Sequence, residues 1–193
     1  QVEAGPIGPV LAELREALDP WLGEPAWKQG PASAKLLYRF ETTTLPVQTL
    51  TLPAVADTTV NEGAGSKILG TDPLLTLDNS PVEQAFLRFA VSGVGTRPVT
   101  RAVLKLTVGS ISGASSPSGG NVHLLASGAW SEATTKWTNR PTIAHPILAT
   151  QGKVTAGQVV EFDVTAVVGG DGTYDFALDT TSSDAVLYQS RQA

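Results

Sequence analysis

Arg101-Ala-Val-Leu-Lys-Leu-Thr-Val108 alternates residue by residue: Ala102, Leu104, Leu106 and Val108 share one face, Arg101, Lys105 and Thr107 the other. An extended chain points successive side chains to opposite sides, so this pattern predicts a strand with one buried and one wet face. Val159-Val-Glu-Phe-Asp-Val-Thr165 repeats it, with Val160, Phe162 and Val164 opposing Val159, Glu161, Asp163 and Thr165. From these two segments the same reading extends outward. Strand-like runs occupy 54–60, 74–78, 84–91, 99–108, 121–126, 147–154, 158–165, 174–179 and 185–190. Between them stand turn clusters such as Asn61-Glu-Gly-Ala-Gly65, Asp78-Asn-Ser-Pro81 and Gly169-Gly-Asp-Gly172. Many short strands at such spacing predict an all-β fold of antiparallel sheets, a β-sandwich or jelly roll. The low-complexity stretch 110–120 reads as a long exposed loop.

The first 53 residues read differently. Val10, Leu11, Leu14 and Leu18 recur at helical spacing until Pro20 breaks the pattern, which predicts a short helix. Lys35-Leu-Leu-Tyr-Arg-Phe-Glu41 reads as a lone strand. The expected organisation is therefore a small helix-plus-strand extension at 1–53 and a sandwich at 54–193. The extension fits the tail of a preceding domain, a linker, or a segment whose strand at 35–41 joins a second copy of the chain through a sheet edge.

Composition narrows the function classes. The chain of 193 residues carries 13 basic and 18 acidic side chains, a net charge of -5, where a nucleic-acid surface needs a basic patch. It has no cysteine, which removes disulfides, thiolate metal sites and a cysteine nucleophile. No run nears the roughly 18 apolar residues of a membrane span. With Gln at position 1, no methionine and no leader-like segment, it reads as a processed chain or a piece of a longer one. Its two histidines, His123 in a strand and His145 in a Pro-flanked loop, have no serine or carboxylate placed beside them by sequence. There is no Gly-x-Ser-x-Gly elbow, so an enzyme is not expected.

Trp130-Ser-Glu-Ala-Thr-Thr-Lys-Trp137-Thr-Asn-Arg-Pro141 resembles the signature of the DNRLRE-type domain, a disaggregatase-related module of the carbohydrate-binding class. Ala56-Asp-Thr-Thr-Val60, Gly70-Thr-Asp-Pro-Leu-Leu-Thr-Leu-Asp78, Ala85-Phe-Leu-Arg-Phe89 and Val99-Thr-Arg-Ala-Val-Leu-Lys-Leu106 are similar to the family's motifs, in order. So are Glu161-Phe-Asp-Val-Thr-Ala-Val-Val168 and the closing segment from Phe176 to Ala193. Ala185, Gln192 and Thr138 depart from the pattern. The likeness covers about 54–193 and implies a jelly roll, secreted or on the cell surface. Such a module is non-catalytic and commonly appended to other enzymes or adhesive proteins. It implies polysaccharide binding in some members and, in related jelly rolls, a structural calcium ion.

Within that frame Trp130 and Trp137 are assigned to packing, with Glu132 and Asn139 tying the loop backbone. The candidate ligand residues are Arg88, Arg101 and Lys105, which alternation turns outward, Tyr188 and Arg191 of the closing motif, and Arg140 of the tryptophan signature. Guanidinium forks suit carboxylated sugars, so an acidic polysaccharide is the expected partner. Asp57, Asp78, Asp163 and Asp184, in or beside the motifs, are the candidate calcium ligands, although nothing in their spacing resembles an EF-hand. The leading expectation is an extracellular module that binds polysaccharide and anchors or targets a partner domain. The alternative is a structural subunit of a surface filament, joined through residues 35–41.

Overall fold

The computed structural model describes residues 47–126, 128 and 130–193, nearly all of them in the second of two units, Gln48–Ala193. The expected helix at 10–18 and strand at 35–41 lie outside the described residues. The nine strands are β1 (Ala54–Asn61), β2 (Leu74–Asn79), β3 (Val82–Val91), β4 (Val103–Thr107), β5 (Gly120–Leu124), β6 (Ile147–Gln151), β7 (Val159–Asp163), β8 (Gly172–Asp179) and β9 (Val186–Gln189). Each falls on one of the nine runs expected from the sequence. Among the described residues the only helical pieces are 3-10 turns at Glu62–Ala64 and Trp137–Asn139.

All pairing is antiparallel. One layer runs β1-β3-β8-β5-β6, and at the base of the β2–β3 hairpin only Asp78↔Glu83 and Asn79↔Val82 pair before β2 leaves to run beside β9. β9 in turn touches the end of β4 through the Val108↔Tyr188 bridge, and β4 pairs with β7. The two layers are thus β1-β3-β8-β5-β6 and β2-β9-β4-β7, a sandwich.

The core lies between the layers, because alternation puts the same parity inside on every strand. Ala85 and Leu87 from β3, Phe176 and Leu178 from β8 and Val122 from β5 meet Leu75, Leu77, Leu104, Leu106, Val160, Phe162 and Val186. Burying such side chains contributes roughly 1.5–3 kcal/mol each. Val159, on the opposite parity of β7, is 57% exposed, as its position predicts.

The stretch 110–120 follows expectation only in part: residues 110–113, 115 and 117 are exposed, but the others are tied into the fold. Ala114 is buried in the core, Ser116 pairs with Val154 and donates through its Oγ to the Asp184 backbone oxygen, and Gly119 donates to the Gln151 oxygen. Its small residues let backbone approach backbone: a Cβ on Gly120, whose φ is +91°, would sit 2.6 Å from the Asp179 oxygen.

Candidate functional site

The outer face of the β1-β3-β8 layer is not left to solvent. Phe86, Gln84 and Arg88 share the parity opposite Leu87, and the segment 130–143 folds over them. Phe86, Val60 and Ala177 from the strands meet Leu125 and Trp130 in a second small core, with Trp137 and Ile143 packed beside it. The Phe86 and Trp130 rings are tilted, 6.1 Å apart. The tryptophans therefore serve packing, and Asn139 ties the loop as expected, accepting from Lys136 N (2.8 Å) and donating to the Thr134 oxygen (3.1 Å).

This covering decides the fate of Arg88. Alternation turns it outward, but there it lies under the loop. Its Nε donates to Asp175 Oδ1 at 2.7 Å, its Nη2 to the Trp130 carbonyl at 3.2 Å, and its guanidinium stacks 4.8 Å from the Trp130 ring. Asp175 is 1% exposed and also accepts from Trp130 Nε1 (2.9 Å) and Gly128 N (3.2 Å). All of this holds the loop to the sheet.

Tyr188 is also placed inside. It is 1% exposed and donates its hydroxyl to the Gly119 oxygen at 2.7 Å, and burial pushes that phenol well above its ordinary range. The sequence motif located the segment correctly, but the parity of β9 turns Tyr188 into the core with Val186.

Arg191 belongs to a polar hub that joins four of the sequence motifs. Glu132 Oε1 accepts from Asp57 N (3.2 Å), Arg191 Nε (2.9 Å) and Gln192 Nε2 (2.9 Å), and Oε2 accepts from Arg191 Nη2 (2.5 Å). Asp57 Oδ2 accepts from Arg191 N at 2.7 Å, and Gln192 Nε2 reaches the Gly70 oxygen at 3.0 Å. The Arg191 guanidinium, bonded to Glu132, holds that carboxyl below the usual glutamate range, whereas burial pushes Asp57 up.

Arg101 and Lys105 do stand out in solvent, on the outer face of β4. Glu161 bridges them, at 2.9 Å to Arg101 Nη2 and 2.8 Å to Lys105 Nζ. Those bonds, Lys105 first, lower the Glu161 carboxyl. One carboxylate thus serves two exposed cations.

The four aspartates do not assemble. Asp57 sits in the hub. Asp78 caps the hairpin turn, accepting from Asn79 N and Ser80 N, and Asp163 Oδ1 accepts from Thr165 N. The Asp184 backbone binds Ser182 and Ser116. Among the described residues no three His, Asp or Glu side chains group as metal ligands. A calcium site drawing several carboxylates into a shell of six to eight oxygens does not fit this arrangement.

A cleft of about 350 Å³ lies between the loop 140–143 and strands β3, β5 and β8, and a shallower recess of about 290 Å³ lies beside Trp130, Thr134 and Asn139. Gln84, His123 and Asp179 enter the cleft from the strands, Arg140 and Thr142 from the loop. Arg140 was expected to point at a ligand; the other four were not. Arg140 lies with its guanidinium carbon 3.4 Å from the Trp137 ring centroid, its Nη1 donating to the Trp137 oxygen (2.8 Å) and its Nε to Gln84 Oε1 (3.1 Å). Both bonds hold the planar fork in one orientation, and among the described residues Nη2 has no hydrogen-bond partner. Asp179 Oδ1 accepts from Asn121 Nδ2 at 3.0 Å. His123 is 8% exposed, with Nδ1 2.9 Å from the His145 oxygen and Nε2 3.3 Å from Asp179 Oδ1. A fixed cation, a carboxylate, an amide and a hydroxyl converging on a recess of this size can hold a polar, polyhydroxylated ligand. The signal was present in parity, since Gln84 shares its face with Arg88, but nothing local showed that a loop 50 residues on would build the opposite wall.

The family model described as carbohydrate-binding module family 96 matches residues 48–193. No curated protein matches the chain.

Proposed function

The chain belongs to carbohydrate-binding module family 96, and on that premise we propose that residues 48–193 bind polysaccharide through the cleft at Arg140, without cleaving it. The convergence of Arg140, Gln84, Thr142 and Asp179 on one recess supports this reading. Carboxylates and amides accept sugar hydroxyls, and a guanidinium fork held in one orientation donates to ring oxygens, hydroxyls or a uronate carboxylate. The cleft volume falls in the ~300–1,000 Å³ range of small-ligand sites, which suits a short stretch of a chain rather than a whole oligosaccharide. An acidic polysaccharide is the partner this fork favours. In this reading the module is of the DNRLRE type, works outside the cell or on its surface, and anchors or targets a partner domain to the glycan.

The test sets the cleft against the exposed strip on β4. Affinity electrophoresis across a panel of polysaccharides finds the ligand, and calorimetry then compares Arg140→Ala, Asp179→Asn and Lys105→Ala. Losing a charge-assisted bond costs about 1.5–3 kcal/mol, so Arg140→Ala lowers affinity on the order of 10- to 100-fold while Lys105→Ala leaves it within twofold. Loss of binding in Lys105→Ala with retention in both cleft variants would move the site to the other sheet.

A further inference from the structure

The polar side chains of the cleft continue beyond it. Asn121 on β5 pairs with Asp179 on β8 to one side and with Thr150 on β6 to the other. One step past the Ala85↔Leu178 pair, Gln84 on β3 stands beside Asp179. Ala85, Leu178, Val122 and Ala149 pack on the core, so their neighbours Gln84, Asp179, Asn121 and Thr150 share the outer face of the layer. These four form one row across four strands. Three inter-strand steps of about 4.8 Å make it roughly 14 Å long. It starts at Gln84, which Arg140 of the loop holds, and ends on β6, the last strand of the layer, where Thr150 is exposed.

Hydrogen bonds fix which way each group faces. A carboxylate only accepts, so the nitrogen of the Asn121 amide turns to Asp179 Oδ1, at 3.0 Å, and its oxygen to the Thr150 hydroxyl, at 2.9 Å. A guanidinium only donates, so Gln84 gives its oxygen to Arg140 Nε, at 3.1 Å. The valences left over follow. Thr150 Oγ1 has given its hydrogen and accepts, the Asn121 amino group keeps a hydrogen, Asp179 keeps a second oxygen, and Gln84 keeps its amino group. Acceptor and donor therefore alternate along the row. Adjacent sugar hydroxyls present the complement, because each of them both donates and accepts.

Resting on the carbohydrate reading above, we infer that the glycan leaves the cleft along this row, and that Asn121 and Thr150 form a second sugar subsite for a unit with two adjacent hydroxyls. The bound chain runs across the strands, from Arg140 toward the edge at β6. Three or four linked pyranose units match the length of the row, roughly 14 Å, and a longer chain continues past the edge into solvent.

Calorimetry on the intact chain reads affinity against ligand length. The probes are oligomers of galacturonate, oligomers of mannuronate and cello-oligosaccharides, from dimer to hexamer. Affinity rises up to about the tetramer and then levels. Thr150→Val keeps the shape of an exposed strand residue and removes its hydroxyl. One neutral hydrogen bond corresponds to about 2- to 10-fold in affinity, so this variant loses that much for tetramers and longer. Dimers, held by the cleft, stay within about twofold, whereas Arg140→Ala weakens every length. The second measurement uses the unaltered chain: in backbone amide NMR, Thr150 and Gln151 shift with the tetramer and not with the dimer. A Thr150→Val loss equal for dimers and tetramers, no loss at any length, or β6 amides that ignore the tetramer overturns the second subsite. The cleft reading then stands as long as Arg140→Ala weakens binding. Absence of binding by every oligomer also overturns the subsite, and if the polysaccharide panel is equally silent the carbohydrate reading falls as well.

Discussion

Removing the guanidinium that sits beneath the loop is the sharpest test of how the outer face is built. In Arg88→Met the side chain keeps its length, but Asp175, 1% exposed, keeps its charge and loses its cation. Breaking one side of a buried pair costs about 3–5 kcal/mol; here the Arg88 side chain is 23% exposed, which allows some hydration and puts the expectation near the lower end, about 3 kcal/mol. For a domain of this size that is a fall in Tm of about 10 °C. The assay is urea and thermal unfolding followed by tryptophan fluorescence, since Trp130 both stacks on Arg88 and donates to Asp175. Adding Asp175→Asn removes the stranded charge while keeping an oxygen for Trp130 Nε1, so the double variant recovers about 1 kcal/mol or more over the single. A loss under about 1 kcal/mol in Arg88→Met, or a double variant weaker than the single, refutes the argument that a buried ion pair holds this loop.

Two further outcomes concern the hub. A Cβ on Gly70 would lie 2.2 Å from the Glu132 oxygen, so Gly70→Ala forces two backbones apart and costs about 2–3 kcal/mol in unfolding experiments; an unchanged Tm would refute the close approach. The two hub carboxylates have opposite pH signatures. Glu132 is lowered in the fold, so its contribution is present above the ordinary glutamate value of 4.5 and is lost as pH falls below it. Asp57 is raised from 3.8, so its contribution is present in acid and is lost as pH rises through its folded value. Glu132→Gln is therefore less stable than the parent at pH 7, with the gap closing in acid. Asp57→Asn shows the reverse trend, read in parallel urea titrations at neutral and acidic pH.

The strands were legible because parity is a short-range signal: in 101–108 and 159–165 each residue announces its face. Tertiary placement of the remaining parts was not. Arg88 has the parity of an outward residue, and only the packing of Phe86 against Trp130 shows that outward there means covered. Tyr188 reads as a surface aromatic near a motif, yet β9 lies between β2 and β4 and turns it inward. The stretch 110–120 has too little side-chain volume to reveal by composition whether it stands in water or closes one end of the core. The cleft was the least legible, since it needs Gln84, His123, Arg140 and Asp179, which come from three strands and one loop far apart in the chain. Arg140 alone was marked, by its place in a motif.

The hub also determines where this domain can be trimmed. Judged by its strands it finishes with β9 at Gln189, and a chain stopped at Ser190 would keep every ladder. It would nonetheless lose the guanidinium and amide that Glu132 receives, and the backbone N–H that Asp57 receives from a position 134 residues away. Two carboxylates would then face each other across the first strand and the tryptophan loop with no donor from the closing segment. During synthesis the same contacts cannot form until residues 191 and 192 have left the ribosome, so the first strand of the domain is tied down only once its closing segment has emerged.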